Sequence, residues 1–249
     1  MKIIISPAKK MEVCEDYTGV LTKPIFLEKT KILLDHLKKL SYEDMKKLLN
    51  TSENLTSLNY EIYKNFSLNK LLSPALFSFK GLAFTYMAPQ VFSKDELVFL
   101  ENRLFILSGL FGILRPFDAI SPYRLEMMAN LSSGKSKNLY EFWGDLIYRE
   151  IFKSNDTVLN LASVEYSKCL SKYLKKDDKF IDIYFLEYKD NKLLQKASYS
   201  KMARGSMVRF IAENKIQNIE ELKSFTDLSY CYSKSESKKN KLVFIKKSE

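Results

Sequence analysis

The chain has 249 residues, 46% hydrophobic and 28% charged, a globular composition that excludes a disordered chain. With 7 glycines and 6 prolines it is neither collagenous nor linker-rich, and 17 Phe with 15 Tyr supply ample surface for a core. Lys and Arg outnumber Asp and Glu by 40 to 30, a net charge of +10 that suits a polyanionic partner such as nucleic acid, with a plainly Lys-rich proteome as the alternative.

In chain order, the apolar run of residues 1–7 is too short for a signal-peptide core, and no stretch approaches the roughly 20 apolar residues of a membrane span. A cytoplasmic protein is expected, and the three scattered cysteines, Cys14, Cys169 and Cys231, suit a reducing compartment. Residues 2–6 predict a strand buried on both faces, because three isoleucines follow one another. The spacing of Ile25, Leu33, Leu37 and Leu40 predicts a helix over 25–40. Ser41 with Asp44, and Ser93 with Glu96, mark two capped helix starts. The first runs through Met45, Leu48 and Leu49, and the second through Leu97, Leu100 and Leu104. One helix is predicted over 139–153, carrying Trp143. Strands follow at 157–161, 179–188 and 193–199, the last two joined into a hairpin by Lys189, Asp190, Asn191 and Lys192. A helix over 201–213, a mobile polar loop over 233–240 and a strand over 242–245 complete the chain. No repeat or linker divides it. The order predicts a single α+β domain, a mixed β-sheet surrounded by helices.

Four segments place polar groups where a core has no use for them. Ser6, Lys9 and Lys10 follow the first strand, where loops favour ligands; the lysines suit a phosphate, and a solvated turn fits as well. Gly109 and Gly112 predict a tight hairpin whose backbone N–H groups can meet a phosphate, with a buried turn as the alternative. Arg115, Asp118, Arg124 and Glu126 lie among prolines and apolar residues and predict partly buried ion pairs. Asp118 and Glu126 form a formal acid/base pair, but no nucleophile accompanies them. Lys201, Arg204 and Arg209 share an arc of roughly 140° on one helix, with Gly205 inside it to admit a backbone or a phosphate. Asn160, Ser163, Glu165 and Tyr166 sit at a strand-to-helix transition, and their convergence with Lys9 and the Lys201 helix would line one pocket. His36 is expected to face solvent. One histidine and unclustered cysteines predict no metal site, no cofactor and no hydrolytic triad.

Several of these residues lie in longer motifs: IIISPAKKM at 3–11, LSGLFGILRPFDAISPYRLEM at 107–127, NLYEFWGDLI at 138–147, NLASVEY at 160–166, KMARGSMVRFI at 201–211 and LVFIK at 242–246. Together they resemble the peroxide stress protein YaaA family almost end to end. That resemblance implies a cytoplasmic bacterial protein that limits oxidative damage under hydrogen peroxide by lowering unincorporated iron. It also implies double-stranded DNA binding through a positive cleft with a helix-hairpin-helix-like element, corresponding here to residues 108–114 with Arg115 and Arg124 beside it. Other members carry an Asp straight after the glycine at position 81 and a further Gly downstream; Leu82 and Tyr86 stand there in this chain, so that Asp has no counterpart. Without His or Cys clusters, iron storage is not expected, and any effect on iron would be indirect or through DNA protection. The favoured reading is a non-enzymatic DNA-binding stress protein that contacts phosphates without sequence readout. The alternative is an enzyme of unassigned reaction on a small phosphate- or carboxylate-bearing substrate, held by Lys9, Arg115, Asp118, Arg124, Ser163 and Glu165.

Overall fold

A computed structural model of the protein describes residues 1–134, 136–190 and 192–247. Strand β1 (Lys2–Ile5) is buried along its whole length. After the two-residue β2 (Lys10–Met11) come helices α1 (Leu27–Leu37), α2 (Tyr42–Leu49) and α3 (Glu53–Asn65). Short elements β3 (Ser73–Pro74), α4 (Ala75–Ser78), β4 (Phe79–Lys80) and α5 (Leu82–Met87) lead to α6 (Lys94–Glu101). Strands β5 (Leu104–Ser108), β6 (Gly112–Leu114) and β7 (Ala119–Ile120) precede α7 (Leu139–Trp143) and α8 (Leu146–Ile151). The remainder is β8 (Val158–Leu161), α9 (Val164–Ser171), β9 (Phe180–Lys189), β10 (Lys192–Leu194), α10 (Ala197–Glu213), α11 (Ile219–Leu222), β11 (Tyr230–Tyr232) and β12 (Lys241–Lys246).

The chain forms an α+β domain on a mixed 8-stranded sheet, ordered β11-β12-β9-β8-β1-β5-β6 with β10 paired to β9. Strands β5, β1, β8, β9 and β12 run parallel, while β6, β10 and β11 pair antiparallel. Ile3 pairs with Leu104 on one side and Leu159 on the other, so β1 is central and its isoleucines are covered on both faces. From β1 the chain goes on to β5 in one direction; from β8 it goes on to β9 in the other. Connections that diverge in this way open a crevice at the carboxyl ends of the strands between them.

The side-chain caps form as the sequence predicts. Ser41 accepts the Asp44 N–H at 3.1 Å, and Ser93 and Glu96 cap each other's backbone reciprocally. Four expectations need correction. Leu104 belongs to β5, not to α6, because the run from Leu104 to Ser108 is buried at every position, as a covered strand requires. The single helix over 139–153 is broken at Gly144, whose φ of +52 lies in the left-handed region and separates α7 from α8. The strand over 193–199 ends at Leu194, and α10 begins a turn earlier than expected, at Ala197, with buried Ser200 donating to the Phe185 carbonyl. His36 is half-buried on α1. The β9–β10 hairpin is present, with Lys189 opposite Lys192; Asn191 of its turn lies outside the described residues. In the 233–240 loop, Ser237 donates to the Ser233 carbonyl at 2.6 Å and accepts the Val243 N–H at 2.9 Å. Among the described residues no helix is long and apolar enough to cross a membrane.

Candidate functional site

The crevice between β1 and β8 is a cavity of about 400 Å³. Its floor is set by the two strand ends. The Ser163 N–H donates to the Ser6 Oγ at 2.8 Å and the two hydroxyls lie 3.2 Å apart, so the loop after β1 is stitched to the start of α9. Ser163 is the N-cap of α9, yet its hydroxyl turns to Ser6 and makes no cap bond. Lys9 rises from the β1 loop and Lys201 from α10, while β2 pairs with β4 to set Lys10 opposite Lys80. Arg124 and Arg204 complete the cationic lining. Residues far apart along the chain thus share one concavity.

Two carboxylates temper this charge. Glu126 Oε1 pairs with Lys9 Nζ at 2.9 Å and Arg124 at 3.2 Å. Glu165 accepts the Met128 N–H at 3.3 Å; burial, reinforced by neighbouring Glu126, holds its carboxyl above the ordinary carboxylate range. Burial pushes the Arg204 guanidinium below its ordinary value, an effect that Tyr184 partly offsets. Burial likewise raises the Tyr166 phenol on the cavity wall. The Nε atoms of Arg124 and Arg204 are buried and lack hydrogen-bond partners among the described residues. A guanidinium left with an open donor beside a cavity is poised to meet an oxyanion.

The structure brings together Ser6, Lys9, Lys10, Arg124, Glu126, Ser163, Glu165, Lys201 and Arg204, and sets the other candidates elsewhere. Arg115 and Asp118 form a structural knot. Asp118 is 0% exposed and accepts from Arg115 N (2.8 Å), Nε (3.1 Å) and Nη2 (2.8 Å) and from Thr22 Oγ1 (2.6 Å), which leaves it no acid/base role beside Glu126. Gly109, in the turn between β5 and β6, is buried against the Leu125 carbonyl, and Gly112, the first residue of β6, against the Trp143 ring. The segment 108–114 is therefore a buried strand hairpin and not a helix-hairpin-helix element; the apolar run around its glycines favours burial over phosphate contact. Arg209 points away and pairs with Glu213 at 2.7 Å, so the basic arc of α10 is divided. Gly205 does admit a backbone, that of α5 at Ala83, rather than a phosphate. Asn160 lines a neighbouring cavity.

Sequence reasoning did not single out Lys80 and Tyr123 as lining residues, whereas Tyr166 joins Ser163 and Glu165 on the cavity wall. Lys80 depends on a pairing only two residues long, which leaves no periodic signal. Among the described residues no group of three or more His, Cys, Asp or Glu side chains is placed to hold a metal ion.

The fold and the crevice define an α+β protein with a cationic cleft at the point where its parallel-strand connections diverge. The model of the peroxide stress protein YaaA family matches residues 1–236, and the chain belongs to that family. It is 46% identical over 246 residues to a UPF0246 protein of Desulfitobacterium hafniense, covering 99% of this chain and 98% of the relative. A UPF0246 protein of Lachnoclostridium phytofermentans is 44% identical (99% and 96% covered), and one of Pediococcus pentosaceus is 45% identical (99% and 98%).

Proposed function

We propose that this peroxide stress protein acts in the cytoplasm to limit oxidative damage, lowering unincorporated iron indirectly and binding double-stranded DNA without sequence preference at the mouth of its cationic cleft. The convergence of Lys9, Lys80, Lys201 and Arg204 on one concavity supports this reading. Phosphate contacts release counterions, so duplex affinity should fall steeply with salt, by a log–log slope of about −0.9 per phosphate neutralised. Lys9→Ala and Lys201→Ala should each reduce that slope by about 1, while Arg209→Ala leaves it unchanged. Binding indifferent to salt, or equally sensitive to all three changes, overturns the assignment.

A second reading has its own support. Arg124 and Arg204, whose buried Nε atoms lack partners among the described residues, line a cavity of small-molecule size. On this reading the cleft holds a small phosphate- or carboxylate-bearing molecule, as an enzyme site would. Inorganic phosphate titrated against wild type and Arg204→Met tests it: binding by the first and not the second is expected, and no binding by the wild type refutes it.

A further inference from the structure

A second cavity, of about 280 Å³, adjoins the first, and Ser163, Lys201 and Arg204 line both. The character of its remaining lining differs. Asn160 near the carboxyl end of β8, Asp182 and Tyr184 in the first half of β9, and Gln195 just before α10 line it. Asn160 Nδ2 donates to Asp182 Oδ1 at 2.7 Å while its Oδ1 accepts the Ala162 N–H at 3.0 Å. That pair of bonds fixes the amide and leaves Asp182 a second oxygen with which to accept a hydroxyl. One cavity is therefore cationic, and its neighbour offers an acceptor carboxylate, neutral amides and a tyrosine ring.

A molecule with a phosphate at one end and a hydroxyl-bearing ring at the other matches both. Arginine and lysine suit the phosphate, and a carboxylate with a free oxygen on a neighbouring parallel strand can accept from ribose hydroxyls. We infer that the two cavities together bind a free nucleoside monophosphate, its phosphate among Lys9, Lys201 and Arg204 and its ribose against Asp182. The inference rests on the small-anion reading of the cleft and extends it. Arg204, shared by the two cavities, joins the halves of the site.

Isothermal titration calorimetry of the full chain with AMP, adenosine and inorganic phosphate tests the inference. AMP should bind about tenfold more tightly than phosphate, and adenosine more weakly than AMP by at least as much. Asp182→Asn should bring AMP down to the affinity of phosphate and leave phosphate unchanged, whereas Arg204→Met should abolish both. Circular dichroism checks that each variant is folded. AMP binding no tighter than phosphate overturns the two-cavity site and leaves the small-anion reading standing; failure of both ligands to bind overturns both. Displacement of AMP by blunt duplex DNA overturns the assignment to a free nucleotide.

Discussion

Ser163 and Ser6 stand 157 residues apart in the chain, yet the N–H of the first donates to the hydroxyl of the second at 2.8 Å. This bond ties the loop after β1 to the first turn of α9 and holds the floor of the cleft. Ser6→Ala removes the acceptor and leaves a partly buried N–H unpaired, which should cost about 1–2 kcal/mol. Ser163→Ala keeps the N–H and loses only the contact between hydroxyls, so it should cost less than about 1 kcal/mol. Urea unfolding of the two variants measures the difference; a larger loss for Ser163→Ala would contradict the bonding described.

Gly205 is where α10 crosses α5 at backbone contact, and a Cβ there would overlap the Ala83 carbonyl oxygen. Alanine gains about 1 kcal/mol in helix propensity, but overpacking against a rigid backbone costs about 1–3 kcal/mol or more. The clash should win. Gly205→Ala is expected to lower the midpoint of denaturation and to weaken ligand binding with it, since Arg204 is carried on the same turn.

Glu165 gives the protein a defined pH response. Its folded-state carboxyl is raised above the ordinary value of 4.5, chiefly by burial. Between that value and the raised one, the folded state holds a proton that the unfolded state has released, so this group's contribution to stability declines as pH rises through the window. Glu165→Gln should remove that decline. It also takes a negative charge from the cleft, so phosphate should bind the variant more tightly at neutral pH. Parallel slopes of stability against pH for the two proteins would refute the assignment.

Asp118 should be far more important for folding than for ligand binding. Removing a buried carboxylate from an ion pair typically costs about 3–5 kcal/mol, and Arg115, 31% exposed, retains enough solvent to place Asp118→Ala near the lower end. Denaturant unfolding should register that loss, while duplex and phosphate affinity measured on the remaining folded protein should stay close to wild type.

Cys169 is buried with its Sγ against the Tyr166 carbonyl, and burial pushes its thiol up to about 12. Thiolate is the reactive form, so this cysteine should resist iodoacetamide and hydrogen peroxide until the protein unfolds. Cys14 and Cys231 are only half-buried and should be modified first. Mass spectrometry after brief alkylation reads the order directly.

The sequence makes the rigid, locally determined parts of this fold legible. The isoleucine run of β1, the caps at Ser41 and Ser93 and the strand-to-helix junction from Asn160 to Glu165 are short-range signals, and each is found where the residues place it, although Asn160 turns to the neighbouring cavity. The break at Gly144 was not visible, because helical spacing continues on both sides and only the backbone angle reveals it. The GLFG turn was misjudged for a related reason. Glycines permit close approach, but the sequence does not say of what, and here the neighbours are Leu125 and Trp143 rather than a phosphate. In the site, the cations other than Lys80 could be named from sequence; their partition between the cleft, Asp118 and Glu213 follows from long-range packing that no local pattern encodes.

The position of β1 in the middle of the sheet has a consequence for synthesis. This strand leaves the ribosome first among the elements of the sheet, but its neighbours β5 and β8 emerge much later. Until then a nascent chain displays three adjacent isoleucines with both edges unpaired, a segment prone to intermolecular pairing. Such non-local closure slows folding, so the growing polypeptide should depend on chaperone protection until β8 has been made.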